Sequence, residues 1–64
     1  MEIQLTKQII AIVTLDKEKV YAGSAPVFVA EDEEEQQRIA MYITRITFGM
    51  VHDLGNGVLI IVKH

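Results

Sequence analysis

Five consecutive apolar residues, Val58 to Val62 (VLIIV), most constrain what this chain can fold into. Strand side chains alternate between faces, so an unbroken apolar run needs cover on both sides. That places Val58–Val62 at the centre of a sheet. The preceding Asn56-Gly57 is a two-residue hairpin signal of the type I′ kind. Met50 to Leu54 is then the hairpin's first strand. A second β-branched run, Ile9 to Leu15 (IIAIVTL), reads the same way, as a strand buried on both faces or at an interface.

Between these runs the chain changes character. Asp16 to Lys19 (DKEK) is a charged turn. Val20 and Tyr21 are candidates to continue a ladder, and Gly23 to Pro26 (GSAP) interrupts it, because proline has no N–H to donate. Val27 to Ala30 forms a short strand. Glu31 to Phe48 carries the helix. Asp32 is its N-cap, Glu35 completes a capping-box pattern, and the acids around them match the positive end of the helix dipole. Ile39, Ile43, Ile46 and Met50 recur as an apolar stripe. Gly49 sits where a left-handed glycine would end the helix. Met41, Tyr42 and Phe48 fall off the stripe and widen the apolar face toward a second contact surface.

The expected fold is therefore a single small α+β domain over residues 1–64. About four mostly antiparallel strands carry one helix on one face, in the order β-β-α-β-β. One helix cannot cover both faces of such a sheet. Sixty-four residues also make a marginal core, and with no cysteine in the chain a disulfide cannot support it. With 50% hydrophobic residues, the expected support is a partner subunit, first of all a second copy in a homo-oligomeric dimer. The candidate contacts are Ile9, Ile10, Ile12, Val13, Met41, Phe48, Val58, Ile60 and Val62. KQIIAIVTL and GVLIIVKH are the best candidates for an open edge that accepts another strand, with a plain central role as the competing reading.

Chemistry is harder to find. A net charge of −3 argues against nucleic-acid binding. The start, MEIQLTKQ, carries no leader pattern, and no apolar run reaches membrane-spanning length, so direct membrane insertion is not expected. Two histidines and no cysteine make a structural zinc site improbable, and Glu31 to Glu35 lacks the ligand alternation and glycine of a calcium loop. No metal or cofactor is expected. His52 and Asp53 look paired in print, but along a strand they point to opposite faces. Gly55-Asn56-Gly57 lacks the lysine and helix of a phosphate loop. An enzyme whose site is completed across a dimer interface, from His52, Asp53 and Ser24, stands as the alternative. So does a ligand module built on the GSAP loop.

The segments LTKQIIAIVTLDKEKVYAGSAPVF and MVHDLGNGVLIIVKH resemble a family of very small proteins of endospore-forming Firmicutes, the capping-complex subunits for YIEGIA-type membrane proteins. The likeness runs over nearly the whole chain and includes the terminal VKH. It implies a non-enzymatic accessory protein, and the absence of cysteine fits a cytoplasmic location. Such a protein would sit at the membrane through a polytopic membrane-protein partner and take part in sporulation. No site residue carries over from it.

Overall fold

The computed structural model of the chain describes residues 9–20 and 25–63. Tyr21, the Gly23-Ser24 part of the GSAP loop, and His64 lie outside the described residues. The elements are β1 (Ile9–Thr14), a 3₁₀ turn (Lys17–Lys19), β2 (Val27–Val29), α1 (Glu33–Thr47), β3 (Met50–Asp53) and β4 (Val58–Val62). The four strands form one mixed sheet in the order β2-β1-β4-β3. This is the expected α+β domain type with the expected β-β-α-β-β order. Two of the three pairings are antiparallel, β1 with β4 and β3 with β4, while β1 and β2 run parallel.

The two apolar runs are the two central strands, as their composition requires. Neither β1 nor β4 offers an open edge, so the central reading of KQIIAIVTL and GVLIIVKH prevails for their described residues. Ala11 and Val13 on β1 lie beside Ile61 and Leu59 on β4. This face forms the core with Ala30 and Ala40, and Ile10, Leu15, Ile39 and Ile43 pack against it. Full burial of Val13 and Ile61, both at 0% exposure, stabilises by about 1.5–3 kcal/mol each. A register shift between Ile9 and Ala11 inserts one extra residue into β1. The shift turns Ile10 toward the helix side, where it joins the core rim. The opposite face carries Ile12, Thr14, Val58, Ile60 and Val62, of which Thr14, Val58 and Val62 are also buried.

The helix begins as its sequence requires. Asp32 is the N-cap, and its Oδ1 accepts from the Glu35 N–H at 2.8 Å. Glu35 returns a bond, but to the N–H of Glu31 rather than of Asp32, at 2.7 Å. The buried stripe differs from the expected one. It centres on Gln36 and Ala40, with Ile39, Ile43 and Thr47 half-buried beside them. Ile46 is 76% exposed, and Met50 opens β3, as its place in the expected hairpin strand requires.

Both glycine assignments also change. Phe48, not Gly49, takes the left-handed conformation that ends α1, with φ 61° and ψ 25°. Gly49 is required for space instead. A Cβ there would lie 2.9 Å from Ile61 Cγ2, 3.0 Å from Ile10 Cδ1 and 3.1 Å from the Val62 carbonyl oxygen. The hairpin turn is not a two-residue Asn-Gly turn. Leu54 N–H donates to Val58 C=O at 3.0 Å, enclosing three residues, and positive φ falls on Gly55 and Gly57. Asn56 is spared the strained conformation because glycines flank it.

Candidate interaction surface

The sequence-derived candidates separate by depth. Val13 is core, and Val58 and Val62 are buried, while Ile9, Ile10, Ile12 and Ile60 are half-buried. Met41 and Phe48 are exposed. The two most exposed apolar side chains, Ile46 and Phe48, lie where α1 passes into β3. Ile46, Phe48, Met50 and Val51 follow one another within six residues, and all are exposed. Phe48 stands out at 83% exposure. Tyr42, one helical turn before Ile46, is also exposed. Sequence reading missed Ile46 because its spacing fits the stripe. The helix reaches the sheet with Ala40, Ile43 and Thr47, and Ile46 falls beside that line.

A phenyl ring in water and a left-handed backbone are both unfavourable, and Phe48 combines them. An L-residue with a Cβ in the left-handed region costs about 1–2 kcal/mol. The cap itself is sound, since the Phe48 N–H donates to the Thr44 carbonyl at 2.7 Å. Thr47 Oγ1 donates to Ile43 C=O at 2.7 Å and accepts from Gly49 N–H at 3.1 Å. The hydrogen bonds hold the junction in one shape, and the shape projects the ring outward.

Among the described residues, β3 forms one edge of the sheet. His52 pairs with Ile60 and Asp53 with Leu59, so the two side chains lie on opposite faces, and the adjacency in print is not a catalytic pair. Asp53 Oδ1 instead accepts from the Gly55 N–H at 2.8 Å, bracing the turn. Ser24 lies outside the described residues. A surface concavity at the start of α1 is lined by Glu31, Asp32, Glu34, Glu35 and Arg38. Among the described residues no group of three or more His, Cys, Asp or Glu could hold a metal ion. No helix among them is long and apolar enough to cross a membrane.

A buried polar residue ties the start of the helix to the sheet. Gln36 is 3% exposed, and its Nε2 donates to Val13 C=O at 3.0 Å and to Gly57 C=O at 2.9 Å. Gly57 C=O also accepts from the Leu15 N–H at 3.0 Å. Gln36 thus ties the first turns of α1 to β1 and to the hairpin loop. Sequence reading did not single it out; its spacing three residues before Ile39 on the apolar stripe is the signal that could have found it.

The sequence pattern of one known family, described as the capping complex subunit for YIEGIA, matches residues 6–64. The chain belongs to this family. The resemblance read from its two long segments is thereby borne out. The chain is also 39% identical over 64 residues to the uncharacterized protein YpzH of Bacillus subtilis (strain 168), covering 100% of this chain and 98% of the relative. No solved structure matches the chain. The family's description, a subunit of a capping complex, points to an accessory interaction role.

Proposed function

We propose that this chain is a non-enzymatic accessory subunit, one α+β domain that self-associates and docks onto a YIEGIA-type membrane protein from the cytoplasmic side during sporulation. The reading rests on the family's description and on one observation above all, the outward Phe48 in its left-handed cap. With Ile46 beside it, the ring offers an apolar anchor on a rigid turn, the kind of residue that dominates binding energy when a partner encloses it. Hydrophobic burial is the main driving term. The acidic start of α1, Glu31 to Glu35, is the opposite pole of the helix and faces basic loops next to the membrane in this reading.

Co-expression with the host's YIEGIA-type protein, followed by detergent extraction and affinity purification, tests the reading. The tagged chain is expected to carry the membrane protein with it. The double substitution Ile46→Glu/Phe48→Glu is expected to abolish that co-purification while far-UV circular dichroism stays unchanged. Co-purification that survives the double substitution would overturn the docking site. Failure of the unmodified chain to retain the membrane protein would overturn the reading itself.

A further inference from the structure

Self-association, as proposed above, needs a place on the molecule, and the β3 edge supplies one. The Leu54 N–H donates inward to Val58, and the register pairs His52 with Ile60 and Met50 with Val62. Inward and outward backbone groups alternate along an antiparallel strand. The N–H and C=O of Val51 and Asp53 therefore point away from β4, along the edge of the sheet. Natural edges are normally blunted by proline, lysine, bulges or shortness. The other edge, β2, has two of these protections, being three residues long and preceded by Pro26. β3 has no proline, no lysine and no register shift, and Asp53 is its one acid.

The side chains say which strand fits there. On one face β3 and the residue after it read Met50, His52, Leu54, a large apolar residue on either side of the histidine. The pattern is the same read backwards. An antiparallel partner of the same sequence, with Val51 opposite Asp53 of the second copy, joins both outward pairs of backbone groups. It also places Met50 against the other copy's Leu54 twice. Both side chains are 55% exposed in the single chain. The neighbouring register that sets Asp53 against Asp53 is disfavoured, because like charges directly opposite destabilise a pair. We infer that two copies join through β3, with the two-fold axis passing at His52, to make one continuous eight-stranded sheet.

The sequence has no cysteine, which makes the test clean. His52 and its symmetry mate form a non-hydrogen-bonded pair with Cα atoms about 4.5 Å apart, within disulfide range. His52→Cys is expected to yield a covalent dimer under oxidised glutathione, much faster than Glu33→Cys on the first turn of α1, outside the β3 edge. Val51→Pro removes an N–H that β4 does not use. In sedimentation equilibrium it is expected to weaken the dimer by about thirtyfold or more, from two lost hydrogen bonds. A monomeric unmodified chain at millimolar concentration would overturn both the self-association and the edge. A dimer that survives Val51→Pro, or no preferential cross-linking at His52→Cys, would overturn the edge alone. Should Val51→Pro fail to fold, the cross-linking comparison decides. Docking to the membrane protein is read separately, by Ile46→Glu/Phe48→Glu.

Discussion

Replacing Phe48 by glycine separates a structural role for the ring from a docking role. Releasing the left-handed strain returns about 1–2 kcal/mol. The added freedom of glycine in the unfolded chain takes back about 0.4–1 kcal/mol. The ring is 83% exposed, so the little it buries is worth roughly 0.3–0.5 kcal/mol of the 1.5–3 available to a fully buried Phe. The balance lies between about −0.5 and +1.3 kcal/mol in favour of the variant, centred slightly above zero. A core phenylalanine truncated to a small residue costs about 3–5 kcal/mol instead. Urea unfolding monitored by circular dichroism resolves the difference. The expected outcome is an unchanged or slightly higher midpoint, with loss of co-purification of the membrane protein. A fall in stability beyond about 1.5 kcal/mol would show that the ring supports the fold, with more burial than its 83% exposure allows. Retained docking would show that it is not the anchor.

Three further substitutions probe the frame beneath the surface. Gln36→Ala removes two buried hydrogen bonds and a packed stem, and is expected to cost about 2–3 kcal/mol in urea unfolding. Gly49→Ala drives a methyl into Ile61, Ile10 and the Val62 carbonyl. Since the backbone oxygen cannot swing aside, a loss of about 1–3 kcal/mol is expected, visible as a lower thermal midpoint. Glu33→Lys/Glu34→Lys puts positive charge at the start of α1, and is expected to weaken co-purification with the membrane protein. Unchanged co-purification would remove the acidic pole from the docking account.

The parts of this fold that were legible in the sequence are those set by burial pattern. VLIIV and IIAIVT were readable as apolar strands, central or at an interface, and the acidic start of α1 announced its cap at Asp32. The separation of His52 from Asp53 followed from strand alternation alone. What was not legible depended on where elements cross. The helix meets the sheet through Ala40 and Gln36, small and polar, while Ile46 keeps the right spacing but overhangs. Gly49 was assigned a conformational duty that Phe48 performs, because sequence cannot separate a glycine needed for its φ from one needed for its missing Cβ. Gly55 and Gly57 share the positive φ of the turn, so Asn56 does not. The candidate contacts divide for the same reason. The most apolar segments, β1 and β4, became interior strands, and the exposed apolar surface fell to the junction of α1 and β3, where hydrophobicity is more thinly spread.

The most direct test is an NMR titration of the isotope-labelled chain with the detergent-solubilised YIEGIA-type protein, following methyl and aromatic signals. The account predicts that Ile46 and Phe48 change most on binding, while the core methyls of Val13 and Ile61 hold their positions. Changes centred on another face, with Ile46 and Phe48 unmoved, would contradict it.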